Sequence, residues 1–346
     1  MEETRDSVLM EENGMEIDLK GAKKHFSKIG WMFVLGTIAI YAAQLIPLTI
    51  VQFLRPEWIA DANMSILVSM LPMYLIGMPI LILLVKGIPS EKPENHPIKA
   101  GQFIVAAIMC FALVHLSNIV GTITTTIIGA LKGGEVQNQI LNATVGMDLW
   151  MIFIFMVICA PIMEELIFRR LIVDRTMRYG QGVAVLVSGL MFGLFHGNLN
   201  QFVYAFVLGV FLAYLYAKTG NLKITIGLHM LINFFGGVVS TWLIRLIDLD
   251  EYYSLAMDAD TDALMNFLGE NLVGCVAYMV YFLFIISVMI VGAVLIIVSL
   301  AKKKFVLNRG SFVIPKGKKF STVILNGGMI VYSVIWIITI VLQLFM

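Results

Sequence analysis

The stretch PIMEELIFRR, residues 161–170, decides how the rest of the chain is interpreted. It ends an apolar run that begins near Leu149, so Glu164 and Glu165 lie inside what reads as a membrane span. A charged side chain at bilayer depth costs about 3 kcal/mol or more, so such residues usually face the protein interior and serve a function. A functional site would therefore form where polar side chains from other parts of the chain can approach these two carboxylates.

The composition is typical of a membrane protein. Of the 346 residues, 59% are hydrophobic and 14% are charged, whereas a soluble domain is nearer half apolar and a quarter charged. Repeated apolar runs of about 20 residues predict an all-α, polytopic transmembrane helical bundle. We predict about nine spans (eight to nine), with the polar residues concentrated in spans four to seven. Residues 1–28 are predicted to be a cytoplasmic tail and residues 29–346 a single membrane-embedded domain.

The distribution of Lys and Arg predicts the topology. Basic residues concentrate in the tail and in four alternate loops, at about 86–99, 169–181, 218–223 and 302–319. The remaining loops, including the acidic segment 248–270, are poor in Lys and Arg. Because basic loops stay cytoplasmic, the pattern predicts a multi-pass protein with a cytoplasmic N-terminus. The net charge of +1 is spread over loops and not over one face, so no nucleic-acid partner is expected.

Spans four and five form a predicted antiparallel hairpin about Gly180. Glu164 lies 16 residues before this glycine, and His196 lies 16 residues after it. Since a helix rises 1.5 Å per residue, both side chains lie about 24 Å from the turn, at the same depth. A carboxylate and an imidazole that face each other in this way can bind a metal, or can hold and deprotonate a water molecule.

The second carboxylate has a partner within its own helix. Glu165 and Arg169 are four residues apart, so they share a helix face. Arg169 can neutralise Glu165 and fix its rotamer. Glu164 points about 100° away and is left for chemistry.

Two further pairs have the same helical spacing. Phe192 and His196 share one face of span five, and His229 and Asn233 share one face of span seven. His229 and Asn233 would present two hydrogen-bond donors to one point, which suits a developing oxyanion.

Each feature also has a structural interpretation. The carboxylates could pair with the arginines that follow them at the interface, and His196 could be an interfacial residue. His229 could join helices by hydrogen bonding. Intramembrane carboxylates and histidines also occur in ion-coupled transporters, which is a competing function class. A non-catalytic membrane adaptor is the third.

Three motifs follow one another at this spacing: EExxxR at 164–169, FxxxH at 192–196 and HxxxN at 229–233. Together they resemble the motifs of the CAAX prenyl protease 2 family and its bacterial relatives, the CPBP intramembrane proteases, which include Abi-like members. The resemblance covers about residues 150–240. The polar link at 197–201 looks like that of Gram-positive bacterial members, so the expected location is a bacterial plasma membrane.

The resemblance implies an all-α intramembrane endopeptidase. It implies catalytic roles for Glu164, His196, His229 and Asn233. Supporting roles are implied for Glu165, Arg169 and Phe192. In that scheme a water activated by Glu164 and His196 attacks the peptide bond. The other two catalytic residues stabilise the oxyanion.

The resemblance leaves the cofactor open, because family members are described both with and without a metal. It leaves the substrate open as well. The cofactor is therefore unknown: none, or a divalent metal such as zinc. A zinc ion would take Glu164, His196 and His229 as ligands from three helices. The expected partners are a peptide or membrane-protein substrate and the lipid bilayer. The alternative function is a non-catalytic membrane adaptor or immunity protein, or an ion-coupled transporter.

Overall fold

The computed structural model describes residues 18–247, 249–258 and 261–345, and all of its regular secondary structure is helical. We number fourteen helices in chain order and include the internal π-helical and 3₁₀ turns in them. They are α1 (Leu19–Leu54), α2 (Pro56–Ala60), α3 (Ala62–Lys86), α4 (Ala100–Lys132), α5 (Gln139–Val145), α6 (Leu149–Tyr179), α7 (Gln181–Phe195), α8 (Leu199–Thr219), α9 (Leu222–Ile244), α10 (Leu249–Met257), α11 (Thr261–Glu270), α12 (Leu272–Ala301), α13 (Lys316–Val323) and α14 (Gly327–Gln343).

The polytopic helical bundle predicted from the sequence is confirmed. Among the described residues, seven helices are long and apolar enough to cross a membrane: α1, α3, α4, α6, α8, α9 and α12. The pair α13 and α14, bent by 68°, makes an eighth if it counts as one span. The element predicted as span five is α7, with only 15 residues. At 1.5 Å per residue α7 is about 22 Å long, shorter than the hydrocarbon core of about 30 Å.

The loops gather in two groups at opposite ends of the bundle. In the first group, the predicted basic loops contact one another through backbone hydrogen bonds: Glu91 N–H to Asp174 O, His96 N–H to Thr219 O and Gln181 N–H to Asn308 O. In the second group, Asn200 Nδ2 donates to Gln137 O, and Lys132 Nζ donates to Leu344 O. Loops that the Lys/Arg pattern placed on one side are thus neighbours. The cytoplasmic assignment of the basic side stays a prediction.

Two segments differ in detail from the predictions. Helix α1 begins at Leu19, so residues 19–28 of the predicted tail are helical, while residues 1–17 lie outside the described residues. The acidic segment 248–270 contains the two short helices α10 and α11. Its residues 248, 259 and 260 lie outside the described residues.

Helices α7 and α8 pack closely because glycines line their contact. A Cβ on Gly189 would lie 2.4 Å from Val210 Cγ2, and one on Gly193 would lie 2.9 Å from Phe206 Cβ. Small residues let two helix backbones approach when hydrophobicity alone does not drive them together in a membrane. The contact places the end of α7, with Phe192 and His196, inside the bundle beside α6.

Candidate active site

Helix α6 changes its winding on both sides of the two carboxylates. Residues 153–159 and 166–173 are π-helical, and only the turn between them, 160–165, is α-helical. Pro161 lies at the start of that turn and has no N–H to donate to the preceding turn. π-Helical turns within α-helices occur frequently at functional sites. They alter which way Glu164 and Glu165 project relative to a regular helix.

Glu165 is held by two partners deep in the bundle. Its Oε2 lies 3.0 Å from Arg169 Nε, and its Oε1 accepts a hydrogen bond from His229 Nδ1 at 3.0 Å. Glu165 and Arg169 are both fully buried, and His229 is 4% exposed. The structure therefore brings Glu165 and Arg169 together as their spacing predicted, and it adds a contact with His229 on α9 that their spacing did not predict.

The Arg169 guanidinium has a second compensating contact. Its Cζ lies 4.6 Å from the centre of the Phe192 ring. A guanidinium over an aromatic face is attracted by the ring quadrupole, and the attraction is strongest where water is excluded. Phe192 is itself buried and also packs edge-on against Phe168, with ring centres 5.1 Å apart. Phe168 and Phe192 each lie twelve residues from Gly180, so their contact agrees with an antiparallel hairpin about this glycine. That Glu164 and His196 face each other stays a prediction.

Glu164 has a different environment. Its side chain is 15% exposed, and its Oε2 lies 3.7 Å from His229 Nε2. This distance is longer than a hydrogen bond. The His229 ring thus lies between the two carboxylates, with Nδ1 bonded to Glu165 and Nε2 directed to Glu164.

His196 is the C-cap of α7, and that helix fixes the orientation of its ring. Its Nδ1 lies 2.8 Å from the carbonyl oxygen of Phe192. Because a carbonyl oxygen only accepts, Nδ1 carries the hydrogen, and in the neutral ring Nε2 is then the acceptor. The Phe192 ring meets both imidazoles edge-on, with centres 4.8 Å from His196 and 5.8 Å from His229.

Asn233 lies one helical turn beyond His229 and contacts α6. Its Nδ2 donates to the backbone carbonyl of Met156 at 2.8 Å. An amide group has two hydrogens, so one such contact leaves the other for a further acceptor. The Met156 carbonyl was missed by the sequence reasoning. It belongs to the first π-helical segment of α6, and a backbone acceptor of this kind leaves no signal in residue types.

The three side chains considered as zinc ligands are not gathered into a metal site. In the described part of the chain, no group of three or more His, Cys, Asp or Glu side chains is arranged to hold a metal ion. His229 Nδ1 is bonded to Glu165 and His196 Nδ1 to the Phe192 carbonyl oxygen, which leaves Nε2 of each ring for another partner. Zinc-bound histidines are held through their second nitrogen in the same way, so a zinc ion on Glu164, His196 and His229 stays a prediction.

A comparison with known protein families matches the segment of the chain that contains the three motifs. Residues 146–235 match the family model described as "Type II CAAX prenyl endopeptidase Rce1-like". All seven residues singled out from the sequence lie within this match: Glu164, Glu165, Arg169, Phe192, His196, His229 and Asn233.

Two curated bacterial proteins are similar to the chain. The "Putative membrane peptidase YdiL" of Bacillus subtilis is 28% identical over 162 residues, which are 45% of this chain and 64% of that protein. The "Membrane-embedded CAAX protease MroQ" of Staphylococcus aureus is 28% identical over 218 residues, which are 59% of this chain and 87% of that protein. No solved structure matches the chain.

Proposed function

We propose that this chain, whose segment 146–235 matches the Rce1-like family of type II CAAX prenyl endopeptidases, is an intramembrane endopeptidase. The observation that carries the proposal is the position of His229, between Glu164 and the buried pair of Glu165 with Arg169. Buried charges in a bilayer-spanning helix are costly, and ionisable residues kept there typically mark a functional site. The names of both relatives, a membrane peptidase and a membrane-embedded protease, support the same reaction class.

Water activation falls to Glu164 and His196. Glu164 is the carboxylate without a hydrogen-bonded cation, and its partial exposure leaves an oxygen available to a water molecule. His196 offers Nε2 as a second acceptor, since its Nδ1 hydrogen is held by Phe192 O. As the water oxygen attacks the scissile carbonyl carbon, its proton passes to one of these two groups. The same proton then goes to the leaving amine when the C–N bond breaks.

Oxyanion stabilisation falls to His229 and Asn233. Asn233 has a second amide hydrogen beyond the one given to Met156 O. Donation by His229 from Nε2 requires that its ring carry both protons, because Glu165 already accepts the Nδ1 hydrogen. In that form the two carboxylates are the counter-ions of the ring. Donors fixed before the reaction are worth about 2.7–4 kcal/mol each to the transition state.

Glu165 and Arg169 act through His229. The bond from Glu165 Oε1 sets the orientation and tautomer of the imidazole, and Arg169 holds the carboxylate on the other oxygen. This chain of contacts corresponds to the way a third group orients a catalytic histidine in hydrolases. Glu165 is therefore a positioning residue in the proposal, as well as a structural one.

The proposed substrate is a peptide or a membrane-associated protein that reaches the bundle interior from the bilayer. The proposal is tested by incubating the purified chain in detergent with a mixture of synthetic peptides and by detecting new peptide termini by mass spectrometry. The matched variant is Glu164→Gln, which keeps the side-chain volume. We expect cleavage by the unmodified chain and a loss of about 10²-fold or more in the variant. Cleavage that persists unchanged in Glu164→Gln would exclude this assignment.

A further inference from the structure

A cavity of about 680 Å³ lies between the first turns of α1 and the start of α14, away from the candidate active site. Four lysines of α1 line it: Lys20, Lys23, Lys24 and Lys28. Ser27, Trp31 and Met32 of α1 complete one wall, and Asn326 and Gly327 form the other. Among the residues that the structure describes, no acidic side chain lines this cavity.

The lysines form one charged face on α1. Lys20, Lys24 and Lys28 are spaced at four residues, so they lie one above another on the helix. All are exposed, and within the described residues none of them takes part in a salt bridge. The opposite side of the same turns is buried in the bundle through Phe26 and Ile29. The charge therefore faces outward, into the cavity.

The same face continues as an apolar stripe. Trp31, Leu35 and Ile38 follow Lys28 at spacings of three, four and three residues, and they are 43%, 46% and 59% exposed. A tryptophan at this point is typical of the level of the lipid headgroups. The face thus has cations at one end and a lipid-depth hydrocarbon surface at the other. A ligand that matches both parts has an anionic head and an apolar tail.

The wall opposite the lysines packs closely against α1. A Cβ on Gly328 would lie 1.9 Å from Ser27 O, and Gly328 N–H donates to Ser27 Oγ at 3.1 Å. Gly30 of α1 approaches the same backbone, and a Cβ there would lie 2.2 Å from Gly328 C. Because α1 and α14 touch at their backbones here, the cavity is a shallow, open depression beside their contact.

We propose that this cavity binds an anionic phospholipid, with the phosphate among the lysines and one acyl chain along the stripe of Trp31, Leu35 and Ile38. Each Lys near a membrane surface contributes about 1 kcal/mol, or about fivefold, to the affinity for an anionic headgroup. The bound lipid stabilises the seam of α1 and α14. Helix α14 in turn contacts α7, since Tyr332 Oη donates to Met191 O at 2.8 Å.

The competing occupant is the acidic segment of the same chain. Residues 1–17 hold six acidic residues, Glu2, Glu3, Asp6, Glu11, Glu12 and Glu16, and they lie outside the described residues. That segment would match the charge of the lysines. It would not explain why the charged face continues as an apolar stripe, which favours the lipid.

The test is the thermal unfolding of the full chain in detergent with added phosphatidylglycerol, phosphatidylcholine or sodium phosphate. Binding to the native state alone raises the midpoint, and we expect about 3 °C or more with phosphatidylglycerol only. The triple variant Lys20→Gln, Lys24→Gln, Lys28→Gln should lose most of this shift. Because these side chains are exposed, its midpoint without lipid should equal that of the unmodified chain.

The matched control is Lys302→Gln, Lys303→Gln, Lys304→Gln, which removes the same charge from another basic segment and should keep the shift. An equal loss in this control would overturn the site, because general charge attraction would then suffice. An equal shift with sodium phosphate would overturn the lipid assignment. A shift that appears only after Glu11→Gln, Glu12→Gln and Glu16→Gln would show that the acidic segment, and not a lipid, occupies the face.

Discussion

Helices α6 and α12 have nearly the same length, 31 and 30 residues, and both are apolar enough to cross a membrane. They differ in what surrounds them. Helix α12 exposes much of its surface, with Val273 at 83%, Val280 at 59% and Ile290 at 57%. Helix α6 buries Glu165 and Arg169 completely. Apolar composition therefore decides that a segment enters the membrane, whereas the buried polar contacts decide which neighbours it must have.

The largest expected effect concerns catalysis on α6. Glu164→Gln removes the proposed base but no hydrogen-bonded ion pair, since its nearest His229 atom is 3.7 Å away. We expect turnover to fall by about 10²–10⁴-fold while the midpoint of thermal unfolding stays within about 2 °C. Peptide cleavage and thermal unfolding on one preparation measure both. A large fall in the midpoint would show that Glu164 is structural, and α6 would then carry two structural carboxylates.

The second effect concerns the other carboxylate. Glu165→Gln leaves the buried Arg169 without its counter-ion and weakens the bond to His229 Nδ1. Breaking a buried pair from one side costs about 3–5 kcal/mol, so we expect a lower midpoint and lower yield together with lower activity. Thermal unfolding and extraction yield provide the readout.

The control for Glu165→Gln is Glu135→Gln, an exposed carboxylate on the loop after α4. It should change the free energy of unfolding by less than about 0.5 kcal/mol and leave the extraction yield unchanged. An inactive Glu165→Gln with unchanged stability, beside an active Glu164→Gln, would reverse the two roles.

Part of this site is predictable from the sequence, because it depends on local geometry. The pair of Glu165 with Arg169 follows from helical spacing, and the antiparallel hairpin about Gly180 agrees with the contact that the structure shows between Phe168 and Phe192. The three motifs also select the segment that the family model matches. Lys and Arg counts group the loops correctly, since each loop is short and its charge is local.

The remainder depends on contacts between distant segments and on irregular winding. The bond of His229 to Glu165 joins residues 64 positions apart, and the bond of Asn233 to Met156 O joins residues 77 apart. Both partners on α6 lie in or beside turns whose π-helical winding breaks the regular 100° step per residue. The short α7 was predicted as a full span. Its C-terminal end at Phe195 is set by the turn at Gly197, which has a positive φ of 66°.

An intermediate effect is expected where α7 meets α8 beside the site. Gly189→Ala places a methyl group 2.4 Å from Val210 Cγ2, which forces the two helices apart. Overpacking of this kind costs about 1–3 kcal/mol, and we expect activity to fall as well because α7 carries His196.

Gly236→Ala is the matched control for Gly189→Ala. It introduces the same methyl group on α9, where nothing lies within 4 Å of the new atom. The midpoints of thermal unfolding of the two variants are compared, and we expect the lower midpoint for Gly189→Ala. Equal midpoints would mean that the close approach of α7 and α8 is not needed.

The smallest expected effect compares the interior with the lipid-facing region directly, with one substitution made in each. Ser188 on α7 is fully buried, and its Oγ donates to Phe168 O on α6 at 2.8 Å. Ser287 on α12 is exposed, and its Oγ donates to Leu283 O of its own helix at 2.7 Å. Both substitutions to Ala remove one hydroxyl and one hydrogen bond to a carbonyl oxygen.

The two hydroxyls differ in burial and in what the hydrogen bond joins. Ser188→Ala removes a buried hydrogen bond that joins α7 to the Phe168 carbonyl oxygen on α6. The free energy of unfolding should therefore fall by about 1–2 kcal/mol. Ser287→Ala removes a hydrogen bond within one helix at the surface. It should change the free energy of unfolding by less than about 0.5 kcal/mol. Thermal unfolding of the two variants under identical detergent conditions gives the difference. If both cost the same, buried polar contacts between α6 and α7 do not fix their packing, and the contrast between the two regions would rest on the charged residues alone.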